Sequence, residues 1–461
     1  MQKSIPRIVI GSTQSGSGKT TIVTGILAVL RKKGYNPQAY KIGPDYIDPG
    51  YHELASGHKG HNLDTWLVPE TKLNELFTQT ASEADIAVIE GVMGLYDGGR
   101  KGISSTAEVS KKLKAPVILV IDAKSMGESA AAIALGFKSY DENVNIAGVI
   151  LNRLGSLTHK KMIAEALQKL GIPLVGAIFR NDAMKLPERH LGLLPVTEND
   201  AASVVAIIGD FVEQGIDFDK LLSIAQGAEL MQVEVKKAVD IVKTVKIAVA
   251  SDEAFSFYYP ASMHVLETFA AEIIPFSPLQ DKVVPEADGM ILGGGFPEMF
   301  IETLQANNKM KVSLRLAAAK GMPIYAECGG YMYLMEKIVD FDGKSYDMTG
   351  ILPGTVQMNR KLQMVGYIEA KLNCDTILGQ AGTLLHGHEF HFSSEVESNE
   401  ETKTNAAFTF TKTRNNTTYP AGTATKNILG SYLHLHFSGC PSAAEHFIAA
   451  CKSFHRQQEV E

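Results

Sequence analysis

Two stretches of this 461-residue chain carry residue types and spacings that chemistry requires. The first is Gly11-Ser-Thr-Gln-Ser-Gly-Ser-Gly-Lys-Thr20, which follows a short β-branched run and precedes a helical pattern from Thr21 to Arg31. Small residues there let backbone N–H groups close around phosphate oxygens, with a helix dipole behind them. Ser15, Gly16, Ser17, Gly18, Lys19, Thr20 and Thr21 are the candidates for holding the phosphates of ATP. Lys19 brings a point charge to the β- and γ-phosphates, and Thr20 offers a hydroxyl to Mg²⁺. A strict pattern of this kind has Gly where Thr13 stands, so the motif is a variant with its parts in the right order.

Open parallel sheets bind ligands at the carboxyl ends of their strands, and acids occur at two successive such ends. Gly43-Pro-Asp-Tyr-Ile-Asp-Pro49 holds Asp45 and Asp48 in a stiff loop, and Glu90 closes an apolar run and leads into Gly91-Val-Met-Gly-Leu-Tyr-Asp97. An acid ending a buried strand is costly unless it is paired or metal-bound, and Mg²⁺ takes one or two carboxylates beside phosphate oxygens. Asn152 and Arg153, after a later strand, suit an adenine edge.

The second stretch is Pro323-Ile-Tyr-Ala-Glu-Cys-Gly-Gly330, an apolar run ending at Cys328 and followed by a helical segment over Tyr331–Lys337. A strand–nucleophile–helix elbow exposes the sulfur, and a helix start favours the thiolate. The amides of Gly293-Gly-Gly-Phe-Pro-Glu298, with Gly294 and Gly295 beside Gly329, form a candidate oxyanion hole. His434 and His436 in Gly430-Ser-Tyr-Leu-His-Leu-His436 offer a base; alternation with Leu on a strand predicts that both point to one side. His386, His388 and His391 lie close together, but only Glu389 accompanies them, so substrate contacts or packing are favoured over a metal site.

The elements that must position these groups repeat a strand–helix pattern twice. Strands are predicted at 8–10, 39–42, 86–89, 117–121, 147–151 and 174–178, continuous apolar runs of a parallel sheet covered on both faces. From 199 to 242 the spacing is helical. A second α/β sheet begins at Lys246, with strands at 273–276, 290–292 and 323–326, and the polar 395–416 reads as loops or an edge hairpin. The expected domains are 1–195, a helical connector over 196–244, and 245–461. A length of 461 exceeds what one core sustains. A net charge of −7 argues against nucleic-acid binding. Four scattered cysteines suit a reducing cytoplasm, and no run approaches the ~20 apolar residues of a membrane span.

With both sites in hand, the chain resembles the cobyrinate a,c-diamide synthases. The residues that carry the resemblance are 43–49, Asn62-Leu-Asp64, Glu90–Gly98, Leu186–Leu193, Ala254-Phe-Ser-Phe-Tyr-Tyr259, Ala326–Gly330, Gly387-His-Glu-Phe-His391 and Ser431–Phe437. The resemblance implies an N-terminal P-loop, dethiobiotin-synthetase-like parallel-sheet domain joined to a C-terminal class I glutamine amidotransferase α/β domain. It implies that the a and c acetates of cobyrinate are phosphorylated from ATP and then amidated by ammonia drawn from glutamine. Cys328 aligns with the nucleophile and His434 with its activator; Thr20, Asp48 and Glu90 look like the Mg²⁺ shell; Asp45, Tyr46 and Asp97 look like the acceptor side. Many class I glutaminases place Glu two residues after the His, where this chain has His436, so a Cys–His dyad is expected with no third member assigned. Ser12 replaces a Gly common in the family's P-loop. The nearest alternative is a Ni-sirohydrochlorin a,c-diamide synthase, with the same chemistry on a less methylated ring. A motor ATPase is disfavoured because Gln14 stands where partition ATPases carry a second lysine. The expected partners are cobyrinate, ATP and glutamine, without nucleic acid or membrane, and with a homodimer left open.

Overall fold

The computed structural model describes residues 2–184, 186, 188–189, 192–193, 196, 200–232, 241–396 and 406–458. The chain divides into two compact units, one of residues 1–65 and 69–237, the other of 66–68 and 238–461.

In the first unit seven strands form a sheet: β1 (Arg7–Ser12), β2 (Pro37–Ile42), β3 (His61–Leu63), β4 (Ile86–Glu90), β5 (Val117–Asp122), β6 (Ile146–Leu154) and β7 (Leu174–Phe179). Their order is β3-β2-β4-β1-β5-β6-β7, and every pair is parallel. β1, β2 and β4 are buried along their whole length. That is why β1 and β4 read as largely apolar runs rather than alternating ones, while β2 also carries Gln38 and Lys41. Six of the seven strands match the predicted runs; β3 has three residues, too few to show a period. Because all strands run one way, the P-loop after β1, the Asp loop after β2 and Glu90 at the end of β4 come to one edge of the sheet.

Helix α1 (Lys19–Lys32) packs Ile22, Ile26 and Leu30 into a core that also contains Ile8, Ile10 and Val88. The segment read as a connector contributes α3 (Ala201–Gly215) and α4 (Phe218–Gln226), with α2 (Asp48–Ser56) earlier in the chain. Val205, Ile208, Val212 and Leu221 of α3 and α4 join the same core as α1. The approach of α3 to α1 is close enough that a Cβ on Gly25 would overlap the Val212 side chain. The apolar period of α3 and α4 thus reflects their burial inside the first unit; 233–240 lie outside the described residues.

In the second unit a six-stranded sheet is built from β8 (Val245–Ala250), β9 (Ala271–Phe276), β10 (Gly289–Leu292), β11 (Ile324–Glu327), β16 (Thr423–Ala424) and β17 (Ile428–Ser431). The order is β9-β8-β10-β11-β17-β16, parallel except for the edge pair β16–β17. A five-stranded antiparallel sheet lies in the same unit: β12 (Met364–Leu372), β13 (Leu384–His391), β14 (Phe408–Lys412), β15 (Thr418–Ala421) and β18 (His434–Leu435), in the order β15-β14-β12-β13-β18. One apolar core holds Met290, Ile324, Cys328 and Tyr331. Another holds Ile247, Ile291, Phe408 and Phe447, the last from helix α6 (Pro441–Gln458). The polar stretch 395–416 contains β14, which forms a hairpin with β15; 397–405 lie outside the described residues. The helix predicted over Tyr331–Lys337 is α5 (Gly329–Leu334), and the chain passes into strand Lys337–Val339 instead of continuing it. Among the described residues no helix is long and apolar enough to cross a membrane.

Candidate active sites

The P-loop turns on Gly16 (φ 73°) and Gly18 (φ 89°), both left-handed. Gly18 caps α1 without any side-chain hydrogen bond to the first turn, so that turn presents its amides to a ligand. Asn152 closes the cradle from β6: its Nδ2 donates to Ser17 O at 2.8 Å, and it approaches Gly18 so closely that a Cβ there would overlap it. Asn152 is therefore a brace of the loop. Its neighbour Arg153, at φ 57°, pairs with Asp122 at 2.6 Å.

Lys19 is buried and donates to Ser12 Oγ at 2.8 Å and to the Met93 carbonyl at 2.6 Å. The hydroxyl that replaces the family's glycine thus holds the lysine. Burial, aided by the Lys41 charge and opposed mainly by Glu90, brings the Lys19 ammonium down to about 8. The polyanion of a nucleotide would restore its charge.

Thr20 Oγ1 donates to Glu90 Oε1 at 2.7 Å and lies 3.2 Å from Asp48 Oδ2. These three oxygens lie together. Between the two carboxylates sits Lys41, which the sequence reading passed over: Nζ pairs with Asp48 Oδ2, with Glu90 Oε1 at 2.8 Å and with Asp45 Oδ2 at 3.9 Å. His52 Nε2 hydrogen-bonds Glu90 Oε2 at 2.7 Å. Burial disfavours a charge on Glu90, but Lys41 and His52 outweigh it and hold that carboxyl well below the usual range. Asp48 goes the other way, pushed up to about 7 by burial and by Asp45. Lys41 was legible in principle, as a charge near the end of a fully buried parallel strand; His52 lies within α2 and carries no comparable signal.

The donors at this edge are hard oxygens, two carboxylates and a hydroxyl, which suit Mg²⁺ with phosphate oxygens completing its shell. Among the described residues no group of three or more His, Cys, Asp or Glu is placed to hold a metal by itself. Asp45 sits at the start of α2 and accepts from the amides of Ile47 and Asp48 at 2.9 and 3.0 Å. Asp97 Oδ2 accepts from Gly94 N at 3.1 Å. Tyr46 is half-buried in the same loop as Asp45.

In the second unit Cys328 lies between β11 and α5 at φ 46°, ψ −103°. This conformation is strained for any residue with a Cβ. Strong local bonds enforce it: Cys328 N donates to Ser431 O at 2.8 Å, and Gly330 N to Gly293 O at 2.9 Å. A Cβ on Gly330 would overlap the Leu292 carbonyl, and one on Gly329 would lie 3.0 Å from Gly295 N. The elbow and the glycine loop thus approach at backbone distance, and Tyr258 Oη accepts from Gly293 N at 2.8 Å to fix that loop.

His434 reaches the thiol from β18 and is buried. Burial opposes its charged form, but Cys328, as charge and hydrogen-bond partner, and then Glu327 push its pKa up to about 10. The protonated imidazole is therefore favoured beside the sulfur. β18 ends at Leu435, and the His436 ring stacks on Tyr259 at 4.6 Å. The three histidines near 390 have separate surroundings. His386 stacks on Trp66 at 4.1 Å, His388 on His434 at 4.8 Å, and His391 on Tyr432 at 3.9 Å. Pro187, His190 and Leu191, within the predicted motif 186–193, lie outside the described residues.

Residues 8–194 match the CobQ/CobB/MinD/ParA nucleotide binding domain, and residues 246–441 match the CobB/CobQ-like glutamine amidotransferase domain. Proteins called cobyrinate a,c-diamide synthase are similar over nearly the whole chain. One from Dehalococcoides mccartyi is 45% identical, covering 98% of this chain and 99% of its own. Those from Caldanaerobacter subterraneus subsp. tengcongensis and Picrophilus torridus are each 41% identical, covering 97% of this chain and 99% of their own.

Proposed function

Since the chain belongs to the cobyrinate a,c-diamide synthase family, we propose that it is a glutamine-dependent carbon–nitrogen ligase that amidates the a and c acetates of cobyrinate through acyl phosphates. The observation that carries this reading is that one chain joins a phosphate cradle, faced by paired carboxylates, to a strained cysteine with a buried histidine as its partner.

At the cysteine, sulfur attacks the carboxamide carbon of glutamine, and the amides of Gly294, Gly295 and Gly329 receive the developing oxyanion. The C–N bond breaks as the His434 imidazolium gives its proton to the departing ammonia. Water, deprotonated by His434, then opens the thioester, releasing glutamate and restoring the pair. At the cradle, an oxygen of the acceptor carboxylate attacks the γ-phosphorus of ATP and ADP leaves. Ammonia attacks the acyl carbon and phosphate departs, with the surplus proton lost to solvent. Ser15 to Thr21 bind the phosphates, Asn152 braces the loop, and Asn152 with Arg153 borders the adenine. Asp45, Tyr46 and Asp97 face the acceptor. Thr20, Asp48 and Glu90 would hold Mg²⁺, which supplies neutralising charge on the β- and γ-phosphates when bound. In this reading 1–195 with the helices after it form the ligase part and 245–461 the glutaminase.

The test is Cys328→Ala. Glutamine-dependent synthesis should fall to background while ammonium salts still support amidation at the wild-type rate. A folded variant that also lost ammonia-dependent synthesis would overturn the division of labour. Running wild type on cobyrinate and on Ni-sirohydrochlorin side by side, with the ratio of kcat/KM as readout, identifies the acceptor ring.

A further inference from the structure

The sequence leaves the cysteine site with two members, because His436 stands where an acid is expected. The structure assigns the missing carboxylate to Glu327, the residue immediately before the nucleophile, as the positioning residue that orients His434. The assignment rests on the glutaminase reading above for its role, and on geometry for its identity.

Glu327 ends β11 and is buried. One carboxylate oxygen is fully engaged: Oε1 accepts from the Tyr325 hydroxyl at 2.7 Å and from Leu435 N at 3.0 Å. Tyr325 shares its strand face, two residues back, and Leu435 adjoins His434. The carboxylate is thereby fixed by both its own strand and the strand that carries the base. Its other oxygen, Oε2, lies 3.6 Å from His434 Nδ1. With Nδ1 turned to Glu327, the ring presents Nε2 to the sulfur. A catalytic contact of this length commonly shortens when substrate binds.

The turn at Cys328 makes this possible. Consecutive strand residues point to opposite faces, so an undistorted β11 would send Glu327 and Cys328 apart. At φ 46° the chain leaves the strand geometry at the cysteine, and both side chains become partners of the same imidazole. A carboxylate there favours the Nδ1–H tautomer and the imidazolium, the role the acid plays in nucleophile–histidine–acid sites. Other titratable groups face this cluster. His388 is the register partner of His434 on β13, His436 follows two residues on, and Tyr258, Tyr325 and Cys440 sense the Glu327 charge. None of these is a second carboxylate.

Glu327→Gln keeps an oxygen for Tyr325 and Leu435 but removes the charge; Glu327→Asp keeps the charge and withdraws it. Three readouts decide. With glutamine, kcat should fall roughly 10²-fold or more for the Gln variant, with KM within about threefold, and the Asp variant should recover part of it. The pH midpoint of Cys328 alkylation by iodoacetamide, followed on the Cys328 peptide by mass spectrometry, should move upward in the Gln variant. The thermal midpoint and ammonia-dependent synthesis should stay at wild-type values. A Gln variant with wild-type kcat on glutamine and an unmoved alkylation midpoint would overturn the assignment. A wild-type protein inert towards glutamine would sink the assigned reaction instead, while the alkylation midpoint still judges the Glu327–His434 contact.

Discussion

The two sites solve opposite electrostatic problems. At the end of the first unit's sheet, buried charges are held by one another before any ligand arrives: Lys41 bridges Asp48 and Glu90, and His52 secures the far oxygen of Glu90. At the cysteine, the sulfur and Glu327 favour a charge on His434, and backbone strain supplies the placement. A site for a polyanion and a metal must be stocked with charge and donors that the ligand will rearrange. A site that makes its own nucleophile needs few charges in a fixed, dry frame. The first should therefore lose stability when one charge is removed, and the second should lose rate.

Lys41→Met gives the largest effect expected from that contrast. It strands Asp48 and Glu90 in a buried setting without their shared cation, and breaking such a pair costs about 3–5 kcal/mol. Urea denaturation should show this loss, and adding Asp48→Asn should return part of it by removing one of the stranded charges. An unchanged midpoint for Lys41→Met would mean that the ammonium contributes nothing to the apo fold. Glu90→Gln comes next. Synthesis should fall roughly 10²-fold, the scale of losing one charge-stabilising group, with glutamine and with ammonia alike, since the defect lies upstream of the nitrogen. Retained synthesis with both nitrogen sources removes Glu90 from the metal shell.

The same contrast explains what could be read from the chain. Glu90 and Cys328 were legible because each stands where a parallel strand ends, and Lys19 because it opens the helix after the glycine-rich loop; strands buried on both faces announce themselves as apolar runs. Lys41 and Glu327 were missed although they too stand at or beside a strand end, because each is a single charge among apolar neighbours. The antiparallel sheet of β12–β15 and β18 was largely missed because its strands mix exposed and buried residues, as in the pattern of Met364–Leu372, and because β18 joins β13 from more than forty residues away. Whether α3 packs on α1 depends on Val212 meeting Gly25, a contact between residues nearly two hundred positions apart. The variant P-loop, with Thr13 in place of Gly, kept its function-bearing turns because the left-handed positions are Gly16 and Gly18.

The smallest predicted effect sharpens the comparison at the cysteine, where stability should depend on protons rather than on stocked ion pairs. His388 stacks on His434 at 4.8 Å, and burial, reinforced by the charges of His434 and His436, drives its pKa well below 6.5. It is neutral when folded and binds a proton below about 6.5 when unfolded. The unfolded state therefore gains protons as pH falls, and the His388 contribution, complete above that pH, declines by at most about 1.4 kcal/mol per pH unit in acid. His434 has the opposite sign: its folded pKa is raised to about 10, so its contribution is complete below 6.5 and is lost as pH rises through about 10. Trp66, the chain's single tryptophan, belongs to the second unit and reports on it by fluorescence. The difference between its urea midpoints at pH 7 and pH 5 should shrink in His388→Gln, because the substituted amide has no proton to gain. A difference equal to wild type would show that the acid sensitivity of this unit arises elsewhere, and that the histidine stack beside the thiol is packing alone.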